Sequence, residues 1–182
     1  GDHYYLSLSK NISSDLAKFN KSGKLVWESS FQKVRTLADI EIDQNNDIFI
    51  TGHAERLGKF DTMSVPGPPY NSGYLNYIVK LDPAGNPLDI ISSSHITFDF
   101  SNNIEIISNK IYSIYLHQTA FSKYHNELNI WDKDLNLLKS KDILSFSQVE
   151  NSAIGLHQNQ LYYVYSLYSK IRFYQNNMAL VQ

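Results

Sequence analysis

Short apolar runs separated by polar turns dominate the chain, and no long stretch keeps the helical spacing of hydrophobic residues. One type of hairpin has an apolar strand, a turn centred on Asn and a strand rich in aromatic and β-branched residues. Asn tolerates the positive φ angles that tight hairpin turns require. This hairpin occurs at residues 40–52, 104–115 and 154–165, and the last two copies align without a gap. The pattern predicts the same antiparallel pair of strands three times.

A second type of hairpin has a large apolar residue, a polar turn and another apolar strand. In one copy Pro83 presets φ for the turn and Gly85 supplies a positive φ. The copies lie at residues 19–25, 81–88, 131–137 and 173–180. Two hairpins in about 40–50 residues make four antiparallel strands, which is typical of a β-propeller blade. The best helical candidate, residues 31–38, is short and lies where a connection between blades belongs.

We therefore predict an all-β fold, a β-propeller of about four four-stranded antiparallel blades in a single domain or propeller fragment. The blades are expected at about residues 1–30, 37–93, 98–144 and 148–182. Residues 2–8 resemble the second strand of a blade, so the first blade is expected to be incomplete. We expect the chain to be part of a larger ring of six to eight blades and a longer polypeptide, with a compact four-bladed ring as the alternative.

Two segments carry a family resemblance. They are the runs DIEIDQNNDIFITGHA and YIVKLDPAGNPL, within residues 38–90. They resemble the repeats of bacterial seven-bladed-propeller-type proteins, although Asn46-Asp47 replaces the usual Gly-Asn, and Leu116 stands in the third blade where Gly52 stands in the second. The resemblance implies the propeller fold and implies little about function, because propellers host enzymes, ligand binders and scaffolds alike.

Composition narrows the function classes. The net charge is −2 and no block of like charge occurs, so nucleic acid is not an expected partner. No apolar run approaches the roughly 20 residues of a membrane-spanning helix. Cys is absent, which excludes disulfides, thiolate metal sites and Cys nucleophiles. Motifs for a nucleophilic Ser, a phosphate-binding loop or a zinc protease are also absent, so no catalytic residue, cofactor or metal site is predicted.

Candidate binding residues come from the longest irregular segment, residues 53–76, between two strands of the second blade. Loops longer than about 12–15 residues are often functional. The matching segment of the third blade is residues 117–125, and an ungapped alignment makes His53 and His117 equivalent. The alternative for these segments is a surface loop without a ligand. The predicted ligand-binding residues are His53, Arg56, Tyr70, Tyr74, His117 and Tyr124.

Two short patterns have a chemical and a structural interpretation. Alternating oxygen ligands suit calcium, but the Gly and Glu of a calcium loop are missing, and Asp and Asn are also the residues that turns favour. The two patterns are Asp43-x-Asn45-x-Asp47 and Asp132-x-Asp134-x-Asn136. The run Asp61-Thr62-Met63 resembles an O-glycosylation site of exported bacterial proteins.

Together these features favour a non-catalytic binding or scaffolding module of an exported, cell-surface or periplasmic bacterial protein. Its predicted partner is a protein or a glycan, bound through rim loops. The alternative is an enzyme of the polysaccharide lyase or hydrolase type with its site in a central channel. A purely structural part of a giant adhesin is a third interpretation.

Overall fold

A computed structural model describes residues 3–10, 12–67, 73–97, 102–120, 123–146, 151–157, 160–167 and 170–176. The fold is all-β, and the described residues form antiparallel strands without a helix, so none of them supplies a helix that could cross a membrane. The strands are β1 (His3–Ser9), β2 (Ser13–Asn20), β3 (Leu25–Ile42), β4 (Ile48–Phe60), β5 (Met63–Ser64), β6 (Tyr74–Leu81), β7 (Pro87–Thr97), β8 (Asn102–Ile107), β9 (Lys110–Ala120), β10 (Lys123–Trp131), β11 (Leu137–Phe146), β12 (Asn151–His157), β13 (Gln160–Leu167) and β14 (Lys170–Asn176).

The chain forms two compact units, residues 1–96 and 97–182. The first unit is a seven-stranded sheet in the order β1-β2-β3-β4-β6-β7, with β5 paired to β4. Strand β3 is 18 residues long. Its first part pairs with β2 and its second part pairs with β4, so one strand belongs to two consecutive groups of strands.

The helical candidate at residues 31–38 is wrong, because these residues lie inside β3. Phe31, Val34 and Leu37 are buried at a spacing of three residues, which imitates a helical period. The pairing of β3 with β4 shifts register repeatedly along this stretch. Each register shift acts as a β-bulge and changes which residues of the strand face inward. A strand can therefore bury every third residue, as a helix would.

The core of the first unit joins both groups of strands. Three aromatic rings form its centre: the Phe31 and Phe60 centroids are 4.5 Å apart, and the Phe60 and Tyr77 centroids are 5.0 Å apart. Leu16 of β2 and Ile50 of β4 are buried in the same cluster. Burial of these apolar side chains is the main source of stability in this unit.

One turn geometry closes four hairpins. In each turn the first residue is Asp or Asn, and its side-chain Oδ1 accepts hydrogen bonds from the backbone N–H groups two and four residues later. The fourth residue has a positive φ, between 57° and 89°. The turns are Asn20–Lys24, Asp43–Asp47, Asp82–Asn86 and Asp132–Asn136. The acidic patterns at 43–47 and 132–136 are therefore built as turns of the kind that Asx side chains favour.

The second unit contains a four-stranded sheet, β11-β10-β9-β8, and a three-stranded sheet, β12-β13-β14. The register pairs Ile104 with Ser113 and Ile154 with Tyr163, which agrees with the ungapped alignment of the two hairpins. Ile154 packs against the apolar cluster of the four-stranded sheet. Among the described strands no sheet closes on itself, and the blade boundaries stay a prediction.

Candidate functional site

A cleft of about 420 Å³ opens on the first unit, where β1 and β2 meet two turns of the sheet. Its size falls in the roughly 300–1,000 Å³ range of small-molecule sites. The lining residues are His3, Tyr5, Lys18, Ile42, Asp43, Asn46 and Pro83. We call it the Tyr5–Lys18 cleft.

Tyr5 and Lys18 form one wall of the cleft, and they belong to a row of side chains that continues to Trp27, outside the lining. Tyr5 of β1 lies opposite Lys18 of β2, which in turn lies opposite Trp27 of β3, and opposite residues share a face of the sheet. The Lys18 ammonium nitrogen is 5.6 Å from the centre of the Tyr5 ring. The Tyr5 and Trp27 rings meet edge to face with their centroids 6.2 Å apart. The row therefore places a positive charge between two aromatic side chains.

The second wall is the turn between β6 and β7. The Pro83 carbonyl oxygen accepts hydrogen bonds from Lys18 Nζ at 3.1 Å and from Trp27 Nε1 at 3.2 Å. Gly85 has a φ of 89°, and a Cβ atom there would lie 3.1 Å from the indole. The turn can approach the indole this closely because this residue has no side chain. These contacts hold the Lys18 side chain in place, and only 7% of the residue is exposed.

The turn Asp43–Asp47 forms the third side of the cleft. Asn46 adopts the positive φ of this turn, 64°, and is exposed. Asp47 forms an ion pair with Lys80 at 3.2 Å. The cleft thus combines an ammonium group, a carboxylate, amide and imidazole groups and an aromatic ring. This mixture of hydrogen-bonding groups and apolar surface suits a small polar ligand.

The predicted loop at residues 53–76 is largely strand, which corrects the sequence-based expectation. β4 continues to Phe60 and pairs with β5. Between Ala54 and Lys59 the pairing with β3 skips residues, so Glu55–Gly58 form a bulge. Arg56 lies exposed in this bulge. Tyr70 lies outside the described residues.

Tyr74 is a predicted binding residue that lies in a polar cluster with Arg35 and Glu55. The Arg35 guanidinium lies 4.7 Å from the centre of the Tyr74 ring. Arg35 Nε also donates to Glu55 Oε1 at 3.2 Å. Tyr74 begins β6 and Pro83 follows its end, so this cluster and the Tyr5–Lys18 cleft belong to opposite ends of that strand.

His53 is not a rim residue. It is fully buried in β4, its Nδ1 lies 3.1 Å from Thr36 Oγ1, and its backbone N–H donates to the same oxygen. Burial lowers the pKa of His53 to about 4, against a smaller upward effect of its hydrogen bond with Asn76. His53 is therefore a neutral core residue near pH 7 and does not face a surface ligand.

His117 and Tyr124 lie in strands, not in a loop. β9 runs to Ala120 and β10 begins at Lys123, so most of the predicted loop at 117–125 is a hairpin. The side chains of His117 and Tyr124 lie outside the described part of the structure.

The equivalence of His53 and His117 is also wrong. His53 pairs with Asn76, which lies six residues before the turn at Asp82. The residue six positions before the equivalent turn at Asp132 is Asn126, and it pairs with Leu116, not with His117. The ungapped alignment failed because the turn Asp43–Asp47 is longer than the turn in the β8–β9 hairpin.

Sequence reasoning missed the cleft, because its residues come from separate parts of the chain. A local signal did exist in β2, where alternation places Lys18 on the same face as the buried residues Ser14 and Leu16. In the described part of the chain, no three His, Asp or Glu side chains are grouped so as to hold a metal ion. No protein-family model matches the chain, and no curated protein matches it.

Proposed function

We propose that the chain is a non-catalytic binding module that recognises a glycan in the Tyr5–Lys18 cleft. The observation that carries this proposal is the pair Tyr5 and Lys18, which line a cleft of about 420 Å³ and are supported by the neighbouring Trp27. The C–H groups of a sugar ring pack on an aromatic face, while its hydroxyl groups need donors and acceptors. The Tyr5 ring supplies the aromatic face, and the Lys18 ammonium and the Asn46 amide supply the hydrogen-bonding groups.

The cleft is also rigid enough to select a ligand. Lys18 is held by the Pro83 carbonyl, and Tyr5 is packed on Trp27. Side chains that are fixed before binding lose little entropy when the ligand arrives, which favours affinity at a small site. The proposed recognition surface therefore differs from the rim at residues 53–76 and 117–125.

The propeller arrangement and an exported location belong to the same proposal. The β8–β11 meander supports a blade, and so does β3, which leads from one group of strands into the next. The resemblance of residues 38–90 to bacterial propeller repeats points the same way. Thr62, within the glycosylation-like run, lies exposed in the turn between β4 and β5, where a modifying enzyme could reach it.

Among the described residues, the groups whose pKa values burial shifts most do not line the Tyr5–Lys18 cleft, which favours binding over catalysis there. His53 and Tyr77, whose pKa values are moved by burial, lie in the core of the first unit. Active sites concentrate such groups in a cleft. The alternative of a lyase or hydrolase with a site in a central channel stays a prediction.

A glycan array tests the proposal. We expect the full chain to bind at least one glycan class, and the Tyr5→Leu variant to lose that binding. Tyr4→Leu is the matched control, because Tyr4 is the neighbouring residue on the other face of β1 and is 65% exposed. Equal binding by both variants, or binding of a protein and of no glycan, would contradict the proposal.

A further inference from the structure

We propose that the glycan bound in the Tyr5–Lys18 cleft is acidic, and that its carboxylate pairs with the Lys18 ammonium. This inference rests on the proposed function and adds the chemical class of the ligand. The starting observation is a cation with 7% exposure that forms no ion pair with any carboxylate of the described residues. A charge removed from water is costly unless a counter-charge or several hydrogen bonds compensate it.

The groups around Lys18 compensate its charge only in part. Its one hydrogen-bond acceptor is the neutral Pro83 carbonyl, and this oxygen also accepts the indole N–H of Trp27. The Tyr5 ring at 5.6 Å adds a cation–π attraction, which is worth about 0.5–2 kcal/mol. An ammonium group has three N–H donors, and the described residues accept a hydrogen bond from one of them.

The acidic groups near the cleft are engaged with other partners. Asp43 Oδ1 accepts the backbone N–H groups of Asn45 and Asp47 at 2.8 and 3.0 Å. The Asp47 carboxylate pairs with Lys80 at 3.2 Å. Asp43 also lines the cleft, but backbone N–H groups already occupy its Oδ1 atom, and Lys18 is the lysine that lines the cleft. A carboxylate forms shorter and stronger hydrogen bonds to an ammonium group than a sugar hydroxyl does.

Matched pairs of glycans that differ only by a carboxylate, such as uronic acid oligosaccharides and their neutral counterparts, test the inference by calorimetric titration of the full chain. We expect the acidic member to bind about 10-fold more tightly. The Lys18→Met variant should remove this preference while its unbranched side chain still covers the Tyr5 ring. Lys18→Arg should keep the preference, and Lys24→Met, at an exposed lysine of the neighbouring turn, should change nothing.

The outcomes separate the two proposals. Equal affinity for both members of each pair overturns the acidic ligand and leaves the glycan-binding function standing. A Lys18→Met variant that still prefers the acidic member likewise overturns the acidic ligand and leaves the glycan-binding function standing. If neither member of any pair binds to the full chain, the proposed function itself fails. The comparison of acidic and neutral glycans uses the unaltered chain, so it decides the question even if a variant does not fold.

Discussion

The Tyr77 hydroxyl group donates a hydrogen bond to the backbone carbonyl of Thr36 at 2.8 Å, across the strand that lies between them. The residue of that strand is Gly52, which pairs directly with Tyr77. A Cβ atom at Gly52 would overlap the Thr36 carbonyl oxygen and lie 2.8 Å from the Tyr77 hydroxyl oxygen. The hydrogen bond between β6 and β3 therefore requires glycine in β4.

Gly52→Ala should lower the free energy of unfolding by about 2–3 kcal/mol, because the added methyl group must displace backbone atoms or break the Tyr77 hydrogen bond. Gly155→Ala is the control, since a Cβ atom there would meet nothing within 4 Å. Urea denaturation followed by circular dichroism measures both. A Gly52→Ala variant as stable as Gly155→Ala would show that the strands can move apart at little cost.

In the second unit the aromatic residue of the corresponding pair stands on the other strand. Counted back from the turns at Asp82 and Asp132, Glu127 corresponds to Tyr77. Glu127 pairs with Tyr115, as Tyr77 pairs with Gly52, so Tyr115 corresponds to Gly52. Tyr115 is buried, and burial raises the pKa of its hydroxyl group. The sequence comparison placed Leu116 at the Gly52 position, because the lengths of the hairpin turns differ and only the strand pairing reveals the true equivalence.

Local features were predictable and long-range ones were not. The turns at Asn20–Lys24 and Asp82–Asn86 depend on residues inside each turn, so their chemistry is visible in the sequence. The bulge at Glu55–Gly58 depends on how β4 pairs with β3, and no local pattern encodes that pairing. The cleft was missed for the same reason: Lys18 meets Pro83 only through the packing of the two groups of strands.

Removal of the Asp132 carboxylate should destabilise the chain by about 1 kcal/mol, because two backbone N–H groups of the turn lose their acceptor. The Oδ1 atom accepts from Asp134 at 3.0 Å and from Asn136 at 2.8 Å. Asp132→Ala should therefore unfold at a lower urea concentration, whereas Asp132→Asn should be close to wild type, since Asn20 fills this role in another turn. Asp134→Ala, at an exposed residue of the same turn, is the control. Equal effects of Asp132→Ala and Asp134→Ala would argue against the turn as the source of stability.

Acidification should destabilise the chain between about pH 6.5 and pH 4 through His53. Burial lowers the pKa of His53 from 6.5 to about 4, so in this window the unfolded chain binds a proton at this residue that the folded chain does not. Above pH 6.5 the residue is neutral in both states and has no effect. The full loss, reached near pH 4, is about 3 kcal/mol for a shift of this size.

The His53→Gln variant isolates this contribution, because its side chain does not titrate. We expect it to be less stable than wild type at pH 7.5, where the contact with Thr36 is lost, but to lose less stability on acidification to pH 4.5. Urea denaturation across the pH range measures the difference in slope. Parallel pH profiles for the two proteins would mean that His53 is protonated in the folded chain or exposed to solvent.

Truncation of two leucines on neighbouring strands should change the stability of the chain to very different extents. Leu16 of β2 is 0% exposed in the core cluster, and Leu6 of β1 is 61% exposed. Leu16→Ala should cost about 3 kcal/mol, because it removes buried methyl groups and leaves a cavity. Leu6→Ala should change stability by less than about 0.5 kcal/mol, because Leu6 contributes little buried surface. Equilibrium unfolding of both variants measures the difference, and a loss of comparable size at Leu6 would mean that the open face of β1 is covered in solution.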